Sequence, residues 1–527
     1  MICKHCGADN PIDALTCGAC GKALEQPAPF SDDDPVPGLG ARKRSRRGGL
    51  IALIALAVLA LAAGLVFRKA VAEFFVRTFS SPEAYYQHVE RRAIDDLAER
   101  VGAGYAFAFG EDGKGASHTA RAEFVPAVDG LDWLDSVTLT GEARTADGAL
   151  SAAAALSLNG SELLSADAYV GDTVSAVRLP LLNKNYLALD EDGDVTAFLS
   201  ALAKAGLTRA EVEDLTKAVL TAAVEPLDGV ERSNDTLTAE QISQRCTLLT
   251  VTIDEARAEK MCGAIADTLE ENDAAQKLLD AYDGDASDCE ALAARLTDSL
   301  LSALTDGGNT EMQLWVGADG SVRGRALTLS DGTGFRFACP FRLMKGAAGL
   351  DCAVLLPEGE TFRLNGTLQR KSGKLEATAK RDGDKLDLFK LEYSDLVVKG
   401  VERAVSFRLE PDRDLAKTLD QPLIGTYIGR IALEGRITRQ GDHAESDFVV
   451  QYRDDTVATA NAERETTGPA PIEPVEKALS HGAWLRKVDL ISALKGLNEA
   501  LENAGVPKDL LRMLSMLISQ LLPDSAA

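Results

Sequence analysis

Basic charge and histidine are both scarce in this 527-residue chain, which has 56 Lys/Arg against 81 Asp/Glu and only five His. The shortage of basic charge is uneven. The first 47 residues hold seven Lys/Arg and six Asp/Glu, while the remaining 480 hold 49 against 75. A body that acidic is repelled by a phosphate backbone, so no nucleic-acid partner is expected. The four His after residue 80 (His88, His118, His443, His481) are widely spaced. H-E-x-x-H, G-x-S-x-G and Walker phosphate loops are missing, so no catalytic residue is assigned and a non-enzyme is expected. Long hydrophobic runs are also missing, with a single exception. Even so, 46% hydrophobic and 26% charged residues are a globular balance, and the length suits several domains.

The exception is Gly48–Phe67, GGLIALIALAVLALAAGLVF, twenty residues without a charge. As a helix it spans about 30 Å, the thickness of a bilayer's hydrocarbon core. Five of the six positions 42–47 are Lys or Arg, and Arg68 and Lys69 follow on the far side. The denser basic flank predicts a cytoplasmic N-terminus and an extracytoplasmic body at the plasma membrane. A cleaved signal peptide has a shorter apolar core and a brief leader. Ala60-Leu61-Ala62 fits a small-x-small site, but 47 residues precede the run and no Cys follows it to carry a lipid. The charged flanks argue against a buried core helix.

Cysteines open the chain in two pairs, Cys3-x-x-Cys6 and Cys17-x-x-Cys20, ten residues apart and each followed by Gly (Gly7, Gly21). Each tight turn brings two thiolates to one ion, and Gly permits the positive φ that leaves N–H groups aimed at sulfur. Together they make a closed tetrahedral set, the arrangement of a structural zinc whose binding drives folding of so small a unit. A redox CxxC normally sits on a βαβ unit, which is lacking here, and His5 is surplus to four Cys. With Leu24, the pattern resembles the short zinc ribbon at the N-terminus of many bacterial membrane proteins. Residues 25–47 read as a flexible linker, rich in Pro, Asp and Gly and basic at its end.

Beyond the apolar run, Val71 to Arg100 has helical spacing with Phe75, Phe79, Val89, Ile94 and Leu97 as apolar positions, and a fresh start at Pro82. Period two takes over from about 105. Short alternating runs at 136–144, 149–159, 161–171 and 173–180 are broken at Asp147-Gly148, Asn159-Gly160 and Gly171-Asp172, the pattern of an antiparallel meander. Helical patterns fill about 193–225 and 254–305. Strands resume at 311, continue to about 410 and recur near 426–463, and three amphipathic helices close the chain between 471 and 522. The expected fold class is α+β: zinc ribbon (1–24), linker (25–47), transmembrane helix (48–67), then a large curved antiparallel sheet covered by helices (71–527). That last part divides into candidate lobes at about 71–305 and 306–527.

Several smaller motifs have plain explanations. Asp190-Glu-Asp192-Gly-Asp194 starts like a calcium loop, but Val195 stands where Gly is required and Ala201 where the bidentate Glu belongs. A carboxylate-rich helix start explains it, and the same holds for Asp283-Gly-Asp285. Ser492-Ala-Leu-Lys495 fits S-x-x-K without its companion motifs and lies inside a terminal helix. Five Cys remain in the body (Cys246, Cys262, Cys289, Cys339, Cys352), an odd number. Cys339 and Cys352 flank a hairpin near Lys345-Gly346, and either a cross-strand disulfide or free buried thiols suit that spacing.

Three segments, DAYVGDTVSAVRLPLLNKNYLAL (167–189), LWVGADGSVRGRALTL (314–329) and AWLRKVDLISALKGLNEALENAGVPKDLLRML (483–514), resemble envelope proteins of Gram-positive anaerobes. In these a zinc ribbon and one membrane helix precede a long outer domain. In layout and period that domain resembles the half-barrel of periplasmic lipoprotein carriers, an open sheet around an apolar groove. The resemblance implies a non-catalytic envelope protein whose partners are the membrane and a lipid or other apolar ligand. The alternative function is a sensor or scaffold whose outer domain contacts cell wall or a protein, with the ribbon recruiting a cytosolic partner.

Overall fold

The computed structural model describes Arg77 and residues 80–513, apart from positions 147, 172–173, 190–193, 283–288, 306–307, 330, 343–345, 400, 419–424 and 426. The described chain begins with helix α1 (Pro82–Phe109). Its start follows from local chemistry: Pro82 occupies the first turn, where its missing N–H costs nothing, and Ser81 Oγ accepts from Ala84 N at 3.2 Å. A meander follows, β1 (Gly115–Pro126), β2 (Val137–Ala146), β3 (Ala149–Leu158), β4 (Ser161–Val170), β5 (Ser175–Leu179) and β6 (Asn183–Ala188). Asn159 and Gly160, at φ 48° and 80°, make the tight β3–β4 turn, since both positions need the left-handed region.

Helices α2 (Asp194–Ala205) and α3 (Arg209–Val224) lead to the hairpin β7 (Glu231–Ala239) and β8 (Ile242–Ile253). Three more helices come next, α4 (Glu255–Glu271), α5 (Asp273–Tyr282) and α6 (Cys289–Thr305). The second run of strands is β9 (Thr310–Val316), β10 (Val322–Thr328), β11 (Gly334–Ala338), β12 (Phe341–Arg342), β13 (Ala347–Leu355), β14 (Thr361–Gln369), β15 (Gly373–Arg381), β16 (Asp384–Lys399) and β17 (Glu402–Pro411). After the short α7 (Leu415–Thr418) come β18 (Ile431–Gln440), β19 (His443–Tyr452), β20 (Asp455–Thr467) and β21 (Ala478–Leu479), then α8 (His481–Leu485) and α9 (Leu490–Asn503).

All 21 strands among the described residues belong to one sheet. Its ladder runs from β7 through β8, β9, β10, β11 and β13 in sequence order to β20, then on to β1 and through to β6. β12 pairs beside β11 on β13, and β21 adds a short parallel pairing to β6. The register joining β20 to β1, Arg464 opposite Ala120, brings together residues more than three hundred positions apart.

The sheet is strongly curved, and α1 shows which face lies inside. Near its start, Glu90 receives both guanidinium nitrogens of Arg325 on β10, at 2.8 and 2.5 Å. At its end, the Ala108 carbonyl accepts from Thr145 Oγ1 of β2 at 2.6 Å, and Phe107 packs on His118 of β1 with ring centroids 4.3 Å apart. Eighteen helical residues separate Glu90 from Ala108, about 27 Å. Along the ladder, β10 and β2 are eleven strand steps apart, about 53 Å. The helix is thus the chord of an arc about twice its length. Arg325, His118 and Thr145 stand on the same face by register, so that face is the inner one of the arc that α1 spans. At the β7–β13 end the sheet curls the other way, with Leu237 and Ala239 over Gly324 and Gly349.

This corrects the expected fold class. Helices do not form a layer covering the sheet. Their apolar stripes are spent largely on one another, and the main core joins Tyr85, Tyr86 and Val89 of α1 to Met261 and Ile265 of α4 and to Leu249, Val251, Leu314 and Val316 of β8 and β9. A second cluster ties Tyr105 and Phe109 to Ala203, Leu207, Val212 and Ala274. The helices therefore gather against β8–β10 and reach β1–β4 only at strand ends. Inward residues of β11–β15, such as Phe337, Cys352 and Ala377, are buried, while much of the inward face of β1–β4 is left exposed. The described residues all fall within the compact unit Arg44–Ala527. The zinc-ribbon cysteines and Gly48–Phe67 lie outside the described residues, and among those described no helix is long and apolar enough to cross a membrane.

Glu90 is 2% exposed, so its pairing with Arg325 is a desolvated one. Removing one partner strands a buried charge. Arg325→Met should destabilise the fold by about 3–5 kcal/mol in chemical unfolding, and Glu90→Met in the same chain should restore most of that loss. Glu211 supplies a pH test. The Lys277 ammonium on α5 donates to it at 2.6 Å and Thr208 N at 2.7 Å, and these bonds pull its carboxyl down from 4.5 to about 2. A depressed carboxyl contributes stability above its unfolded value and loses it as pH falls through the folded one. Thermal midpoints should therefore drop between pH 4.5 and 2, and the drop should be shallower in Glu211→Gln.

Candidate functional site

Strand alternation separates the two faces of the arc by chemistry. Inward positions read Ala120, Ala122 and Phe124 on β1, Leu139 and Ala143 on β2, and Ala152, Ala154 and Leu156 on β3. Further round they read Leu433 and Ile437 on β18, Phe448 and Val450 on β19, and Ala458, Ala460 and Ala462 on β20. Outward positions on these strands and on β4 carry Glu123, Glu142, Asp167, Glu434, Glu445, Glu463 and Glu465. This is the ordinary amphipathic strand pattern, with one departure: much of the apolar face is not packed. Leu139 is 47% exposed, Leu164 46%, and Phe124 and Ile437 37% each, and Ala120, Ala143, Ala152 and Ala154 are exposed around them. Exposed apolar surface costs about 25 cal/mol per Å², and a contiguous patch of it marks a binding surface.

Gly435 shapes this face. Phe407 and Phe448 come from strands on either side of β18 and meet edge to face across it, 5.9 Å between centroids. A Cβ at Gly435 would lie 2.6 Å from the Phe448 ring, so only Gly lets the rings close over the strand between them. At its near end the patch is bounded by the terminal segment, where Ala504, Val506 and Leu511 pack on Leu158.

A shallow groove of about 460 Å³ crosses these strands, lined mostly by outward residues such as Arg121, Glu142, Asp167, His443, Glu463 and Glu465, and also by Ala120, Gly141, Ala154 and Arg464 of the inward phase. His443 Nε2 lies 3.0 Å from Glu445 Oε1, and that hydrogen bond, with the nearby Glu463 and Glu465, raises its pKa. The hydroxyls of Thr119, Thr140 and Ser165 also line the groove, but the His443 ring is bonded to Glu445, and the groove reads as a solvated charged face. Among the described residues, no three His, Cys, Asp or Glu are grouped to hold a metal ion.

Of the smaller motifs, Ser492 Oγ donates to Asp489 Oδ2 at 2.7 Å at the start of α9, so S-x-x-K is a capping arrangement. Cys339 and Cys352 are free thiols. The residue opposite Cys352 is Phe337, so the pair is two positions out of register and not directly opposed. Burial pushes the Cys352 thiol up to about 12, likewise that of Cys246, which leaves both as unreactive packing residues. The side chains of Asp190, Asp192, Asp194, Asp283, Asp285 and Cys289, and the ligand set Cys3, Cys6, Cys17 and Cys20, lie outside the described residues.

The resemblance implied an apolar groove inside the sheet, but sequence reading assigned no residue to it. Its Ala-rich alternation, ALSAAAALSL in β3 and ATANA in β20, was the available signal, but alternation says which residues share a face and not whether anything covers them.

No family model matches the chain, and no curated protein does. The solved structures it is similar to include two engineered variants of the porin of Rhodopseudomonas blastica, 8% and 9% identical, with TM-scores of 0.23 and 0.22. In both cases 67% of this chain and 99% of the porin chain are covered. At those scores the likeness carries no inference about this chain.

Proposed function

We propose that this chain is a non-catalytic cell-envelope protein, anchored in the plasma membrane by Gly48–Phe67, whose curved sheet binds a lipid or another elongated apolar ligand on its inward face. The observation that carries this reading is the exposed apolar patch around Leu139, Ala152, Ala154 and Leu164 on the concave side. A concave apolar surface gains most from a ligand of matching curvature and length, because such a ligand removes the largest area from water. The basic flank at 42–47 supports an inside N-terminus, which puts the acidic body outside the cell. The four-thiolate set Cys3, Cys6, Cys17 and Cys20 supports a structural zinc on the cytoplasmic side.

Organic extraction of the purified full-length protein, followed by mass spectrometry, should yield an apolar compound that is depleted from Leu139→Asp/Leu164→Asp. Recovery of nothing beyond the detergent blank from the unaltered chain would refute the ligand reading. Metal analysis of the same preparation should give about one zinc per chain, lost on replacing Cys3 and Cys17 by Ser. Unchanged zinc in that variant would remove the metal assignment.

A further inference from the structure

Apart from a few hydroxyl side chains such as Thr145, Ser446 and Thr466, the inward face departs from its apolar pattern only with basic residues. Among the described, regularly paired inward positions of β17–β20 and β1–β4 there is no Asp or Glu, in a chain with 81 of them. Arg403, Arg439, Arg464 and His118 do stand there. Register sets the arginines in one transverse row: Arg403 is opposite Arg439, Arg439 opposite Ala444, and Ala444 opposite Arg464. Like charges directly opposite each other on neighbouring strands are destabilising. Small Ala444 between Arg439 and Arg464 leaves room for both guanidinium groups to converge on one object.

The internal partners of Arg439, Arg464 and His118 are poor. Arg464 lies over the Phe107 ring, 4.8 Å from its centroid, and its shielded Nε has no acceptor. Arg439 Nε donates only to the Gly441 carbonyl, at 3.0 Å. Neither forms an ion pair with a carboxylate among the described residues. His118 meets Thr466 Oγ1 through Nδ1 at 3.1 Å, while its shielded Nε2 has no partner. Desolvation, with repulsion from Arg464, lowers the His118 pKa.

The same row continues as a trough of small residues. Arg464 is opposite Ala120, Ala120 opposite Gly141, and Gly141 opposite Ala154. Leu139 and Leu164 border it. Cationic forks thus sit at one end of an exposed apolar track running several strands across the sheet.

Building on the apolar-ligand reading, we propose that the occupant is a membrane lipid with an anionic head group, its phosphate held by Arg439 and Arg464 and its acyl chain laid over Ala120, Gly141 and Ala154. Guanidinium forks suit phosphate oxygens, and the inward face offers that charge no competing carboxylate. The outward carboxylates, on the other side of the sheet, exclude the same lipid from the convex surface.

The test uses the full chain in a non-ionic detergent with trace photoreactive phosphatidylglycerol or phosphatidylcholine of identical acyl chains. Cross-links are mapped by peptide mass spectrometry. Phosphatidylglycerol should label peptides of β1–β4 and β20 roughly tenfold more than phosphatidylcholine, and Arg464→Gln or the exposed Arg439→Gln should remove most of that preference. Equal labelling by the two lipids in the unaltered chain, or a preference untouched by both substitutions, overturns the head-group inference and leaves apolar binding standing. Absence of label from inward peptides with either lipid overturns the apolar-ligand reading as well.

Discussion

The chord formed by α1 is the constraint on which the rest depends. An antiparallel sheet of this many strands has many ways to twist and coil, and nothing in a single hairpin selects among them. Here one helix is clamped to β10 by a buried bidentate ion pair and to β1 and β2 by Phe107, His118 and the Ala108 carbonyl. With both ends held about 27 Å apart, the intervening strands must bow outward. The bow decides that the alanine-rich phase of each strand faces in. It also explains why so much helical surface is spent near β8–β10, where α1, α3, α4 and α6 assemble the core that holds the clamp.

Curvature and charge then reinforce each other. Carboxylates on a convex face diverge and stay hydrated, which suits a chain of net charge −25. On the concave face the same charges would converge, and the strands carry Ala, Leu, Val and Phe there. The result is a surface that is largely apolar, sheltered and incompletely packed, with a few guanidinium groups as its charged features. A closed core would have filled this space with large side chains. Ala152, Ala154, Gly141 and Ala120 instead leave it shallow and open.

Much of the local structure was legible from residue chemistry. Ser81-Pro82 marked the start of α1, and Asn159-Gly160 marked a two-residue turn. The helical stretch 193–225 does contain helix, though Gly206 and the Thr208–Glu211 capping box divide it into α2 and α3. The hairpin β7–β8 was missed because ERSNDTLTA is polar on both faces along most of its length, so it lacks the apolar phase by which a half-buried strand is recognised. Period two was assigned from about residue 105, but α1 continues to Phe109 because Tyr105 and Phe109 stack on one helical face against Leu207.

The candidate site was legible only in its ingredients. Alternation within a strand assigns each residue to one of two faces, and Arg464 shares its phase with Ala458, Ala460 and Ala462, as Arg439 does with Gly435 and Ile437. Element type and phase are local properties, set by side-chain periodicity and turn residues within a few positions, and the sequence by itself determined these. Which strands became neighbours, which face turned inward and whether a helix covered it were decided by contacts between distant segments, such as β20 with β1 and Glu90 with Arg325. Those contacts depend on loop closure and packing over hundreds of residues, so only the tertiary structure could align three arginines from three strands into one row.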